Sequence, residues 1–465
     1  MERDERDRQA EDARAYMKAY LDRARDAQAL FEKKSQTEID RAVMAVGKTV
    51  FDNARMLAEL AVSETGMGNV EDKVSKNVNK AGIIWNSLKG KKSLGILRRD
   101  EATGITEVAK PVGVVAAITP CTNPIVTPMS NAMFALKGGN AIIVSPHHRA
   151  VKCSGMTVSL IRKELEKLGL PKDLIQMPDA HSRENTRALI GMADVVVATG
   201  GSGMVKAAYS SGKPALGVGA GNVQCIVDRD ADISEAIPKI VAGRGFDNGI
   251  ICSGEQSVIC PDDMYDAILA EFKKNGAYAV TRASEKEALR KALFPEGQMS
   301  RHATGQSAAA VAKLAGYEIP EDTKIILVEA DGAGAADLFS KEKICPVLAT
   351  YRYRDFKEAV EIARANLEIE GKGHSVSIHS NSIENIEYAG KELCVSRFVV
   401  NQVCAESAGG SFQNGLNPTN TLGCGSWGNN SISENLTYTH LINISRIAYH
   451  MPQNRIPTKE ELWRL

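Results

Sequence analysis

VGVVAAITPCTNPIVTPMSNAMFALKGGNAIIVS, Val112 to Ser145, decides the fold. Two short runs of β-branched and small apolar residues, VGVVAAI (112–118) and NAIIVS (140–145), enclose a segment, 126–137, with helical character. Short continuous apolar runs read as strands buried on both faces, and strand–helix–strand is the signature of parallel pairing. The alternation continues through DLIQMP (173–178) and DVVVATG (194–200), with helical segments at 150–168 and 183–191 between them. The expected fold class is therefore α/β, a doubly wound parallel sheet. Such sheets bind ligands beyond the carboxyl ends of their strands. Glycine and polar residues cluster there: TPCTNP (119–124), SPHHRA (145–150) and TGGSG (199–203).

Downstream, a helix is expected over 233–246 and is followed by FDNGIICSGEQSVIC (246–260). A second alternating set then appears. Strand-like runs are QSVIC (256–260), KIILVE (324–329), PVLATY (346–351), SVSIH (375–379) and RFVVN (397–401), with helices at 262–274, 355–366 and 383–392. This predicts a second α/β domain. Residues 405–430, rich in Gly, Asn and Ser, read as one long loop, ordered or disordered. Upstream, 8–62 reads as helical, and Ser93–Leu97 with Ile105–Ala109 reads as a hairpin around Asp100–Gly104.

Composition excludes several classes. The 465 residues suffice for two or three domains. Lys plus Arg and Asp plus Glu are 57 each, so no basic excess points to nucleic acid or an anionic membrane. The longest apolar runs are too short to span a bilayer, and the charged start MERDERDRQAEDAR is not a secretory signal, nor has it the apolar stripe of a shell-targeting helix. Nine scattered cysteines without a C-x-x-C pair exclude a common zinc spacing, and no metal is expected. They suit reduced thiols and a cytoplasmic protein.

Cys252 is the candidate nucleophile. It follows a polar, Gly-containing turn and precedes an apolar strand, a junction from which a thiol can project into a cleft. A thiolate attacks carbonyl carbon well; a buried core cysteine is the competing reading. Likewise Gly200, Gly201 and Gly203 could let backbone approach a phosphate at a helix start, or could form a plain tight turn, and the full G-x-G-x-x-G fingerprint is not present.

Taken in order, TPCTNPIVTP, SPHHRA, ATGGSGMVKAAYSSGKPALGVGAGN, FDNGIICSGEQSVI, KEKICPVLA, GKGHS and TLGCGSWGNNSISEN resemble the aldehyde dehydrogenase superfamily, in its coenzyme-A-acylating branch. The resemblance is to the aldehyde dehydrogenase half of bifunctional alcohol/aldehyde dehydrogenases and runs from ETGMGNVEDKVSKN (64–77) to SWGNNSISEN (426–435). With the sequence ending at Leu465, the iron-dependent alcohol dehydrogenase half is expected to be absent.

The resemblance implies roles residue by residue. Cys252 matches the nucleophile, which would form a thiohemiacetal and then, after hydride transfer, a thioester. Asn123 matches the amide that donates to the oxyanion, beside the Cys252 backbone N–H; an Asx-type turn before Pro124 is the alternative. Glu342 matches the glutamate that holds the nicotinamide ribose, although a solvated charge fits its Lys-Glu-Lys setting. Thr119, Pro120, Ser145, Pro146, His147, Gly200, Gly201 and Gly219 match cofactor-contacting segments. His374 matches a histidine of the acylating branch that would assist thiol deprotonation or contact phosphate; a satisfied polar histidine is the alternative. Hydrolytic relatives carry a glutamate base where this chain has Gly217-Val218-Gly219-Ala220-Gly221-Asn222, with no carboxylate. A thioester lacking base-activated water can await a thiol nucleophile.

The expected protein is thus a cytoplasmic CoA-acylating aldehyde dehydrogenase using NAD or NADP, with coenzyme A as co-substrate. Its expected fold is that of aldehyde dehydrogenases: a Rossmann-like cofactor domain (1–92 and 110–243), an α/β catalytic domain (244–430) and oligomerisation segments (93–109 and 431–465) of a homodimer or homotetramer. Acetaldehyde, propionaldehyde and sulfoacetaldehyde are the candidate substrates. His148 in SPHHRA and the polar stretch 401–421 depart from relatives, the ending HLINISRIAYHMP resembles enzymes assigned to sulfoacetaldehyde, and Gln402, Ser407 and Asn414 are expected to donate to a substrate anion. Arg149 is placed either at a cofactor 2′-phosphate or in solvent. The competing functions are a hydrolytic dehydrogenase and a non-catalytic assembly protein that kept the fold.

Overall fold

The computed structural model describes residues 2–464. Five parallel strands form one sheet in the spatial order Ile175–Gln176, Ala141–Pro146, Val114–Thr119, Val195–Thr199, Ala215–Val218. Val114–Thr119 and Ala141–Pro146 are buried at every position, as central strands covered on both faces must be. The intervening helix, Val126–Lys137, is buried all round. Strand order reverses between Val114–Thr119 and Val195–Thr199, which opens a crevice at their carboxyl ends.

Seven further parallel strands make a second sheet, in the order Ala277–Val280, Ile325–Glu329, Val347–Tyr353, Glu255–Pro261, Val223–Val227, Gly373–His379, Val395–Val400. Val223–Val227 pairs with Glu255–Pro261 and Gly373–His379, so the two sheets divide between Val218 and Val223 and not at 243. The hairpin Gly95–Asp100 with Ile105–Pro111 gains a third antiparallel strand, Ile442–Ala448, from the end of the chain.

The amino-terminal helical region is three helices: Glu2–Phe31 packs on the five-stranded sheet, and Gln36–Asp52 and Ala54–Thr65 pack on the helices around it. A fourth, Val70–Leu88, begins at Asn69, whose side chain accepts from the Asp72 N–H at 2.9 Å. Its buried face carries Lys73, Lys76 and Asn77 beside Ala81, Ile83, Ile84 and Leu88. The 405–430 stretch is a structured loop pinned by a bridge between Leu422 and Asn435.

Candidate active site

The nucleophile position is built by an unusual turn. After helix Ile233–Gly245 the chain passes through Asp247, Asn248 and Gly249 with φ of 51°, 54° and 69°. Left-handed backbone at two non-glycine residues is strained and persists only where neighbours enforce it. Here they do. The buried Asp247 carboxylate accepts from Lys73 Nζ (2.9 Å), Lys76 Nζ (2.6 Å) and the Asn69 N–H (3.1 Å). Asn248 Nδ2 donates to Gly305 O at 3.0 Å. The fully buried Arg244 guanidinium donates to the carbonyls of Gly249, Glu255 and Lys343. The turn delivers Cys252 just ahead of strand Glu255–Pro261, in the middle of the seven-stranded sheet.

Cys252 lines a cavity of about 340 Å³, shared with Asn123, Lys76, Lys80 and Phe246 and walled on the far side by residues of the 405–422 loop. The site lies between sheets of opposite polarity. Asn123 follows the carboxyl end of Val114–Thr119, whereas Cys252, Gly221 and Glu342 each precede the amino end of a strand of the second sheet. Burial and the neighbouring Glu342 push the Cys252 thiol up to about 12, against a lowering by Arg397. The resting group is therefore a thiol.

Asn123 Oδ1 accepts from Lys76 Nζ at 2.8 Å instead of closing a local turn before Pro124. The 217–222 segment packs on the nucleophile: a Cβ on Gly221 would overlap the Cys252 carbonyl oxygen. The Gly221 N–H donates to Glu342 Oε1 at 3.2 Å. Glu342 is half-buried, and burial with the nearby Glu370 raises it to about 8, so it is not a solvated charge. Gly219 lies against Cys424.

His374 opens strand Gly373–His379, completely buried, with both ring nitrogens unpartnered. Burial, with Arg397 adding to it, holds it down to about 3, so the ring is neutral. It is not the satisfied polar histidine of the alternative reading, nor does it line the Cys252 cavity. Arg397, buried, donates to Ser375 Oγ (3.1 Å), Asn435 Oδ1 (3.1 Å) and His374 O (2.8 Å); among the described residues it has no carboxylate partner.

The cofactor-side residues gather at the carboxyl ends of the five-stranded sheet. Thr119 pairs in register with Pro146, and the His147 N–H donates to Thr119 O at 3.0 Å, which brings Thr119, Pro120, Ser145, Pro146 and His147 together. Ser145 Oγ bonds Thr186 Oγ1 at 2.9 Å. The His147 ring stacks on His148 with centroids 4.1 Å apart, and burial pushes it down to about 4. Arg149 does neither thing expected of it: its guanidinium donates to Thr65 O at 2.6 Å. A dinucleotide fits this ledge on two observations. Thr119 Oγ1 is buried without a partner, and Gly200 and Gly201, where helix Ser202–Tyr209 begins, present a surface on which even a Cβ meets nothing.

One expectation fails and one set of residues was missed. Gln402, Ser407 and Asn414 do not line the cavity; Asn414 Nδ2 donates to Gln402 Oε1 (3.2 Å) and Ser407 O (3.0 Å), so they brace the loop internally. The cavity's cationic groups are instead Lys76 and Lys80, one turn apart on helix Val70–Leu88. Lysines recurring at 73, 76 and 80 on the apolar face of an amphipathic helix were the available signal. Lys80 Nζ donates only to Gly409 O, at 3.1 Å, and burial lowers it to about 8.

A cysteine and an amide facing one cavity, beside a dinucleotide-type ledge, define an enzyme of covalent thiol chemistry on a carbonyl. The chain belongs to the aldehyde dehydrogenase family, whose model matches residues 5–417. Within it, the chain stands in the CoA-acylating branch, which uses NAD(P) and coenzyme A. It is 54% identical over 96% of its length to a succinate-semialdehyde dehydrogenase (acetylating) of Clostridium kluyveri, covering 98% of that protein. It is 42% identical over 95% of its length to a sulfoacetaldehyde dehydrogenase (acylating) of Bilophila wadsworthia, covering 97% of it. The fold is similar to an acetylating aldehyde dehydrogenase from Geobacillus thermoglucosidasius (TM-score 0.93, 39% identity, 97% of this chain and 99% of that one). It is also similar to a Rhodopseudomonas palustris propionaldehyde dehydrogenase solved with bound CoA and an acylated cysteine (TM-score 0.85, 28% identity, 93% and 97%).

Proposed function

We propose that this chain oxidises a short aldehyde bearing a terminal carboxylate, of the succinate-semialdehyde type, to its CoA thioester. The observation that carries the substrate class is Lys80. Its ammonium lines the Cys252 cavity with a single backbone acceptor; Glu406 of the same cavity favours its charge but, among the described residues, forms no ion pair with it. A half-buried cation with unused donors is matched by a ligand carboxylate. The similarity to a succinate-semialdehyde enzyme supports the same reading.

The site residues take the following parts. Cys252 passes its proton to solvent in the cavity as its sulfur bonds to the aldehyde carbon, and Asn123 Nδ2 with the Cys252 N–H donates to the resulting oxyanion. NAD(P), when bound, accepts the hydride that leaves that carbon. Thr119, Pro120, Ser145, Pro146, His147, Gly200, Gly201 and Gly219 would hold it on the ledge, and Glu342, beside Gly221, would hold its nicotinamide ribose. Collapse of the oxyanion leaves a thioester on Cys252. The coenzyme A sulfur then displaces Cys252 and its proton passes towards the departing Cys252 sulfur; the family resemblance would have His374 assist that transfer, although it is buried outside the cavity.

The exposed Tyr449, Ile456, Leu462 and Trp463 beyond strand Ile442–Ala448 support subunit contacts there in a homo-oligomer, and nine free cysteines support a cytoplasmic setting. No described helix is long and apolar enough to cross a membrane.

The test is a panel of succinate semialdehyde, sulfoacetaldehyde, butyraldehyde and acetaldehyde, with NAD or NADP, each with and without coenzyme A. CoA-dependent turnover is expected for all, with the highest kcat/KM for succinate semialdehyde. A preference for butyraldehyde over both anions would overturn the substrate class; a preference for sulfoacetaldehyde would move it to sulfonates.

A further inference from the structure

We infer that Lys76 is a positioning residue for the oxyanion donor: anchored on Asp247, it fixes which way the Asn123 carboxamide faces. The inference rests on the aldehyde dehydrogenase reading of Cys252 and Asn123.

A carboxamide has an acceptor end and a donor end of nearly the same shape, and only its hydrogen-bond partners decide between the two orientations. For Asn123 to serve an oxyanion, Nδ2 must face the reacting carbon. Lys76 Nζ stands 2.8 Å from Asn123 Oδ1. An ammonium has three donors and no acceptor, so it tolerates only the oxygen. Turning the amide over would set NH₂ against NH₃⁺ and forfeit a charge-assisted bond. With Oδ1 committed to Lys76, the Nδ2 protons are the part of the side chain left without a protein partner, on a residue that lines the cavity with Cys252.

Lys76 is itself not free to wander. Its Nζ is 2.6 Å from Asp247 Oδ2, and the carboxylate is buried and shared with Lys73 at 2.9 Å. Asp247 belongs to the strained turn that delivers Cys252. Asp247 thus ties the turn that delivers the nucleophile, through Lys76, to the amide that serves the oxyanion, though Cys252 and Asn123 come from different sheets. Preorganised donors of this kind cost no reorganisation as charge develops.

The experiment compares two reactions of Cys252 in wild type, Lys76→Met, Asn123→Ala and the double variant. Aldehyde oxidation passes through an oxyanion; alkylation by iodoacetamide does not. In Lys76→Met the single-turnover hydride-transfer rate should fall about a hundredfold, with the aldehyde KM within about threefold and alkylation of Cys252 within about threefold. The double variant should be no slower than Asn123→Ala alone, because Lys76 acts through Asn123. Multiplicative losses, or alkylation falling in step with hydride transfer, would overturn the inference and make Lys76 a support of the Cys252 turn. Should Lys76→Met not fold, Lys76→Gln, which keeps a neutral donor, is read by the same two rates: a smaller loss confined to hydride transfer is expected, and an equal loss in both overturns it. Absence of thiol-dependent oxidation in wild type would be a failure of the enzyme reading instead, and is seen before any variant is made.

Discussion

Replacing Lys80 by Met removes the cation proposed to hold the substrate carboxylate while keeping a straight apolar stem. The magnitude follows from the site. Lys80 is half-buried, and its one hydrogen-bond partner is a neutral carbonyl at 3.1 Å. Opposite charges about 4 Å apart attract by about 4 kcal/mol at an effective dielectric of 20. Part of that is offset by desolvating the substrate carboxylate, which leaves about 2–4 kcal/mol. At 1.36 kcal/mol per decade, kcat/KM for succinate semialdehyde should fall about 30- to 1000-fold. Butyraldehyde, which has the same four carbons and no charge, should change less than about threefold. The assay is NAD(P)H formation with saturating coenzyme A, and the quantity read is the ratio of the two kcat/KM values. pH supplies a second arm. Lys80 titrates near 8 because burial opposes its charge, and the substrate carboxylate stays ionised throughout the assay range. The pairing is therefore present below pH 8 and lost above it, and the specificity ratio should fall as pH rises through 8. Groups that serve both aldehydes, Cys252 and Glu342 among them, cancel in the ratio. An unchanged ratio in Lys80→Met, or an equal loss for butyraldehyde, would refute the assignment of Lys80.

Three other outcomes are expected. Cys252→Ala should abolish aldehyde oxidation while NAD(P) binding, read by fluorescence titration, stays near normal; Cys260 cannot substitute, because it is fully buried in strand Glu255–Pro261 with its thiol pushed well up. Without coenzyme A, a rapid-mixing trace should show at most about one NAD(P)H per site, since 217–222 offers no carboxylate to activate water; sustained acid release would favour a hydrolytic enzyme. Gly221→Ala, whose Cβ would overlap the Cys252 carbonyl, should lower the single-turnover rate by at least tenfold through a displaced nucleophile, and a wild-type rate would show that this wall yields.

The pattern of buried strands was legible because it is local. Val112 to Ser145 announces strand, helix and strand by composition alone, and helix Val126–Lys137 falls on the expected segment. Strand Val223–Val227 escaped notice because its neighbours in the sheet, Glu255–Pro261 and Gly373–His379, are far off in sequence, and the division between sheets was misplaced with it. Cys252 and Asn123 were legible through motif and chemistry. Lys76 and Lys80 were not, because a lysine on a helix is ordinarily a solvated charge; their meaning comes from Asp247 and Gly409, contacts 171 and 329 residues away. The polar loop misled in the opposite sense. Gln402 and Asn414 have the donors an anion wants, but spend them on the loop's own backbone and on each other.

With His374 in its proposed role, burial also explains why the thioester goes to a thiol and not to water. The imidazole sits near 3 because water is excluded and Arg397 bonds to its own backbone carbonyl. Such a ring gains a proton only if a negative charge forms beside it in the same event. A thiolate formed beside it would return part of its basicity. A thiol, with an ordinary pKa of about 8.5, is far more readily deprotonated by such a base than water at about 15.7. In hydrolytic relatives a carboxylate base closes that gap; here the corresponding segment, 217–222, has no carboxylate, and its Gly221 is pressed against Cys252. With His374 in that role, selectivity for the acyl acceptor would follow from a neutral, water-excluded base that is charged most readily as one half of an ion pair.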